Sequence, residues 1–383
     1  MYGLKKCIFL ILILTFSGCS DKPLNSPYGK SGENKKVFYS SFQERPKHLD
    51  PARSYSSNEY AFIAQIYEPL FQYHYLKKPY QLIPLAAEEM PELIYLDSKF
   101  QKTKDKKQVK YTKYILKIKK GILYQNHPAF YKDGKSYKYH NLKKIELDGI
   151  DTIKDFKNES TRELLSDDFI YQIKRLADYK NHSPIAGVMQ EYILGFSEYN
   201  KKISEAKHKN NSDRIQFIRT NQIKGVKKID NFTFSIILKK QYPQFVYWLA
   251  MPFFSPMPWE ADMFYSQPGL QEKNITLNWF PIGTGPFKLT ENNPNLRMVL
   301  ERNKNFRKEV YPSLKDKIVK RKIISYNKNK VIPFINKAVY SLEKEQIPRW
   351  NKFLQGYYDN SGIASDNYDQ AISLNNSGDV SLN

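Results

Sequence analysis

Histidines stand at His48, His74, His127, His140, His182 and His208. A bound transition metal would need two or more ligands at short spacing, and no second histidine or cysteine falls at such a spacing from any of them. No metal site is therefore expected. Gly134-Lys135-Ser136 ends like a phosphate-binding loop, but Ala129 stands where the first glycine is needed, and a polar Tyr/Lys run follows in place of an apolar helix. Gly283-Thr284-Gly285 opens like a dinucleotide fingerprint, yet Lys288 takes the place of its third glycine. It reads as a turn. No Gly-x-Ser-x-Gly elbow occurs. The two cysteines, Cys7 and Cys19, both lie in the first 19 residues, so the body of the chain has no thiol for nucleophilic catalysis or disulfides. Asp167-Asp168 fits the first turn of a helix, where carboxylates favour the dipole. The chain is expected to be no enzyme, with no cofactor and no metal.

The elements that would position a binding site alternate irregularly along the body, giving an α/β class. Val37 to Phe42 is a β-favouring run leading into Leu49-Asp50-Pro51. Ser56 and Glu59 form a capping-box pair before a helix whose apolar positions Phe62, Ile63, Ile66 and Tyr67 share one face, and Pro69 ends it near Glu68. A strand is expected over Tyr114 to Ile118, a helix after Ser166 with Phe169, Ile170, Ile173, Leu176 and Ala177 inward, and a second helix over Pro184 to Tyr199. Asp230-Asn231 marks a turn before the alternating strand Phe232 to Leu238. Pro243 opens a short aromatic helix through Leu249, and Arg297 to Glu301 reads as another strand.

Lysine and arginine total 61 against 39 acidic residues, a net charge of +22. Nucleic-acid binders concentrate such a surplus in basic stripes with interleaved aromatics. Here the densest run, Lys102, Lys104, Lys106, Lys107 and Lys110, sits in a polar stretch that reads as a solvated loop, and no nucleic-acid partner is expected. At the N-terminus, Lys5 and Lys6, an apolar run from Cys7 to Phe16 and Ser17-Gly18-Cys19 make up a signal peptide, whose apolar run is too short to span a bilayer. Phe16-Ser17-Gly18-Cys19 resembles a bacterial lipobox, which implies lipidation at Cys19. The expected organisation is a signal peptide over 1–18, the lipidated cysteine and a Ser/Asn/Gly/Pro-rich tether over 19–36, and globular structure from about Val37.

Several segments together resemble the extracellular solute-binding proteins of oligopeptide, dipeptide and nickel ABC importers. They are Leu49-Asp50-Pro51, Tyr67-Glu68-Pro69-Leu70-Phe71, Leu82-Ile83-Pro84-Leu85-Ala86-Ala87, and Pro281-Ile282-Gly283-Thr284-Gly285-Pro286-Phe287-Lys288-Leu289 with Leu300-Glu301-Arg302-Asn303. Tyr242 to Trp259 and Ile347 to Ala371 are similar to a large-sized subgroup. The resemblance implies a two-lobed α/β fold, with a first lobe and its inserted subdomain over 37–310 and the start of a second lobe over 311–383. It implies capture of a peptide or similar small solute, delivery to a permease and ATPase complex, and membrane attachment through the lipid.

Clefts for small solutes are lined by aromatic surface with a few fixed polar groups, which makes Tyr242, Trp248, Phe254 and Trp259 candidates beside the reading that they pack in the core. Tyr55 and Ser56 lie where the family brings a loop toward ligand, although Ser56 can equally cap the helix. Gly283 and Gly285 flank a turn where a bulky side chain would be costly if φ is positive, which would place backbone near the cleft and makes Gly283 and Thr284 candidates as well. Relative to that family the chain is expected to stop short, with an incomplete second lobe. This leaves as alternatives a non-binding remnant or a basic surface lipoprotein that binds an anionic polymer.

Overall fold

The computed structural model describes residues 36–312, 327–374 and 380–382. Cys19 and the expected signal peptide lie outside the described residues. The chain divides into two compact units, one built from residues up to Glu44, residues 295–297 and Ile335 onward, the other from Arg45–Pro294 and Met298–Phe334. These units are defined by compactness; the lobe boundary near 310 is a separate proposal.

In the smaller unit the strand Val37–Phe42 runs parallel to Lys337–Leu342, with Val37 opposite Lys337 and Phe42 opposite Leu342. Its other edge is taken by the chain near Asp359: the Tyr39 amide donates to Asp359 Oδ2 at 2.7 Å, and the Asp359 amide donates to the Tyr39 carbonyl at 2.8 Å. The helix Gln346–Leu354 buries Trp350, and Glu343 accepts from Lys352 and from the Tyr358 hydroxyl.

The larger unit holds a four-stranded antiparallel sheet. Its spatial order is Glu92–Leu96, Tyr111–Lys117, Thr233–Leu238 and Val226–Asp230. Tyr111–Lys117 alternates half-buried with buried, so Thr112, Tyr114 and Leu116 share the inner face. Tyr114 stands opposite Ile236, and Leu116 opposite Phe234. The helix Ser166–Ala177 covers this face, with Phe169 stacked on Phe234 at 5.7 Å, and Phe245 meets Tyr114 edge-on at 5.3 Å. The expected turn at Asp230-Asn231 is tied down twice, by the Phe232 amide on Asp230 Oδ1 and by the Ser166 hydroxyl on the Asp230 carbonyl.

Two differences from the sequence expectations have physical causes. The helix expected over Pro184 to Tyr199 is two helices, Ala186–Tyr192 and Phe196–Glu205, because Gly195 takes φ +82° and its α-carbon lies against Lys224. A Cβ there would fall 2.6 Å from Lys224 Cβ, so only glycine makes this corner. The strand Val226–Asp230 lacks apolar alternation since it lies at the sheet edge with all but Val226 exposed, and Lys227 and Lys228 there discourage edge-to-edge pairing. Part of the basic surplus thus has a structural place.

Candidate functional site

The helix Ser57–Ile66 begins at Ser56, but its entry is organised by Glu59, which is 3% exposed. Glu59 Oε1 accepts from the Lys47 and His48 amides at 3.0 and 2.7 Å, and Oε2 from the Ser54 hydroxyl and the Tyr55 and Ser56 amides at 2.9, 3.1 and 3.3 Å. One carboxylate thus gathers the loop that carries Tyr55 and Ser56. Burial pushes its carboxyl up, but the His48 amide, the Ser54 and Ser56 hydroxyls and the Ser56 amide outweigh that and hold it below the ordinary value. A depressed folded pKa stabilises the fold above the unfolded value near 4.5 and loses that contribution as pH falls through the folded value. Glu59→Gln is accordingly expected to flatten the stability profile below about pH 5, a change that urea titrations across pH 3 to 7 would read.

This loop and helix form one wall of a cavity of about 950 Å³. The stretch from Tyr67 to Tyr75 supplies a second wall, and Tyr247 to Phe253 a third. Tyr73 and Tyr247 stack at 6.4 Å with planes 17° apart, and Tyr55 faces Phe253 at 6.1 Å. These rings offer themselves to solvent: Tyr55 is 74% exposed, Tyr73 48% and Tyr247 49%. Large exposed aromatics around a concavity fit the anatomy of small-solute sites, where flat apolar surface gives affinity and hydroxyls give direction.

The charged part of the lining is acidic. Glu68 and Glu309 contribute, and among the described residues no lysine or arginine lines the cavity. Arg307 stands behind them, 2.7 Å from Glu68 Oε2 and paired with Glu309 as well. Burial pushes the Glu68 carboxyl above its ordinary value, against the opposing pull of Arg307.

Of the residues singled out from sequence, Tyr55 and Ser56 line this cavity together, and the others lie elsewhere. Phe254 is 2% exposed and packs edge-on against Phe245 in the core. Tyr242 stacks on Tyr192 at 3.9 Å, and its hydroxyl accepts from Trp248 Nε1, which draws both away from the cavity. Trp259 lies under the Arg219 guanidinium, 3.5 Å from the ring centre, at a separate pocket. Thr284 is buried, and Gly283 is a point of close approach. A Cβ at Gly283 would fall 2.0 Å from the Ile66 carbonyl oxygen, while positive φ among the described glycines occurs only at Gly121, Gly134, Gly149, Gly195 and Gly356. Crowding against the helix, not left-handed backbone, is what requires glycine there.

Sequence reasoning missed Tyr60, Tyr73, Tyr75, Tyr247 and Phe253 in the lining. Tyr247 had a readable neighbourhood, but a helix of one turn, Phe245–Trp248, has too little periodicity to show which ring faces out. Among the described residues, no group of three or more His, Cys, Asp or Glu could hold a metal ion. His127 is structural: its Nδ1 accepts from the Ala129 amide and Tyr265 donates to the Phe280 carbonyl, so His127 Nε2 carries the proton and donates to Tyr265 Oη.

Comparison with known proteins matches residues 152–379 to the model for bacterial extracellular solute-binding proteins, family 5 Middle. The periplasmic oligopeptide-binding protein OppA of Salmonella typhimurium is 31% identical over 139 residues, 36% of this chain and 22% of that protein. The dipeptide-binding protein of Escherichia coli is 31% identical over 160 residues, 42% of this chain and 24% of that protein. Among solved structures, Listeria monocytogenes OppA bound to peptide is similar with a TM-score of 0.55 at 12% identity, covering 88% of this chain and 48% of that one. The chain thus spans about half the length of that structure, and its fold is the α/β fold of the two-lobed solute-binding type.

Proposed function

The chain belongs to family 5 of the bacterial extracellular solute-binding proteins, and on that premise we propose that it captures a peptide or similar small solute in the tyrosine-lined cavity. The solute is then handed to the permease and ATPase complex of an ABC importer. Export by the N-terminal leader and lipid attachment at Cys19 belong to the same proposal, as do ligand contacts by Tyr55 and Ser56. The observation that carries it is the cavity of about 950 Å³ with Tyr55, Tyr73 and Tyr247 held open to solvent. About half or more of each of these residues stays exposed beside its ring neighbour, and a solute that covers this surface gains apolar contact. The acidic lining favours solutes with a neutral or positive end over anionic ones.

Thermal unfolding with and without a mixed peptide pool tests the reading, because a ligand that binds only the folded state raises the midpoint. A rise that depends on peptide concentration supports capture, and an unchanged midpoint over a saturating range refutes it. Tyr247→Ala is expected to weaken binding of a responding peptide about tenfold, the loss of one aromatic contact worth about 1.4 kcal/mol. Titration calorimetry on the variant checks this against Tyr179→Ala, a distant exposed tyrosine whose replacement should leave affinity unchanged.

A further inference from the structure

A second pocket, of about 350 Å³, lies between the helices Ser166–Ala177 and Asn211–Thr220, with Trp259 at its side. We propose that it binds a small anion, a carboxylate or a phosphate group, through the Lys174 ammonium and the Arg219 guanidinium. Nothing in the solute-capture reading uses this pocket.

Lys174 is 5% exposed, and its ammonium has three protons to place. The described acceptor is the Arg219 carbonyl, a long contact at 3.3 Å. A largely buried ammonium short of acceptors is costly, and burial pushes its pKa down to about 8 against the opposing pull of the Asp167 carboxylate, which lies outside hydrogen-bond distance. Arg219 lies flat over Trp259 and donates through Nη1 to Gln216 at 3.0 Å, which leaves most of its five donors for another acceptor. No described ion pair includes either cation.

The acidic groups around the pocket are already engaged. Arg162 reaches Asp168 and Glu260 at 2.6 and 2.8 Å, and Lys228 holds Asp167 at 2.5 Å. The lining balances Arg162, Lys174 and Arg219 against Asp167, Asp168 and Glu260, and Lys228 on Asp167 adds a positive charge beside it. Lys174 and Arg219 are the lining cations outside the described ion pairs. A carboxylate or phosphate oxygen would supply the acceptor that Lys174 lacks. Trp259, its ring already covered by the guanidinium, fixes the plane of the Arg219 donor fork for a two-oxygen group.

The test is the thermal midpoint of the full chain titrated with inorganic phosphate and, separately, with acetate, each against chloride at equal ionic strength. The expected result is a rise of about 3 °C at about ten times the Kd of whichever anion binds. A response to phosphate alone assigns a phosphate-bearing ligand, and a response to acetate alone assigns a carboxylate. Arg219→Gln, at an exposed helix position, and Lys174→Met should each abolish the rise, while Lys106→Gln with Lys107→Gln in the exposed loop should leave it intact. Reductive methylation of Lys174, read by mass spectrometry on the unsubstituted chain, should slow when the anion is present, which keeps the test decisive if Lys174→Met does not fold. No rise with either anion overturns the proposal. So does a rise that survives Arg219→Gln, since it would belong to the basic surface as a whole.

Discussion

Asp50→Ala is expected to cost about 3–5 kcal/mol of folding stability, read as a lower urea midpoint at neutral pH. Asp50 belongs to the Leu49-Asp50-Pro51 motif and is 5% exposed. It takes both terminal nitrogens of Arg175, at 2.9 and 2.6 Å, and the Ala52 amide at 2.9 Å. Arg175 is itself 2% exposed and sends its Nε to Asp262 at 2.8 Å, where the Tyr171 hydroxyl also donates. Deleting Asp50 removes two of the four hydrogen bonds described for the buried guanidinium, leaving those to Asp262 and Gln172, which is the expensive way to break a buried pair. Burial pushes the Asp50 carboxyl up, but the Arg175 charge and hydrogen bonds outweigh it and hold the group below its ordinary value. The stabilisation is therefore present above the unfolded pKa near 3.8 and fades as pH falls through the folded one, so the deficit of the variant should narrow in acid. A loss under about 1 kcal/mol would place the pair with exposed salt bridges and refute the buried network.

Gly283→Ala is expected to cost about 3 kcal/mol, the upper end for forcing extra volume into a packed site. The new Cβ would sit 2.0 Å from the Ile66 oxygen and 2.7 Å from its carbonyl carbon. Neither atom can swing aside, because both belong to the last turn of the helix Ser57–Ile66 and the same oxygen accepts the Gly285 amide at 2.8 Å. That bond satisfies one of the carbonyls a helix end leaves over. Displacing the helix also moves Tyr60 and Gln65 in the cavity wall, so solute affinity should fall together with stability. Guanidinium unfolding beside peptide titration would show both effects, and a variant of unchanged stability would mean the backbone does not approach the helix at this distance.

Local signals carried much of the fold. The helix after Ser56, the turn at Asp230-Asn231 and the strand Val37–Phe42 all follow from spacing and turn chemistry within a few residues. What lay beyond reach was pairing across the chain: nothing near Val37 announces that its neighbour is Lys337. Residues of the cavity lining were legible in the same uneven way. Tyr55 and Ser56 were reachable through the motif just before them, whereas Glu59 looked like an ordinary partner in a capping box and proved to hold five donors from two segments. Trp248 stood among the aromatic candidates, but its neighbour Tyr247 lines the cavity, a distinction set by tertiary packing on a single helical turn.

Among the described residues, the cavity lining includes no tryptophan. Trp248 and Trp259 are engaged with Tyr242 and Arg219, outside the cavity lining. The optical signature of occupancy therefore belongs to tyrosine: ultraviolet difference absorption or near-ultraviolet dichroism of Tyr55, Tyr73 and Tyr247 should register a guest directly. Selective tryptophan emission draws on Trp248, Trp259, Trp279 and Trp350, of which Trp259 alone lines the Arg219 pocket, so it is the tyrosine signal that singles out the cavity.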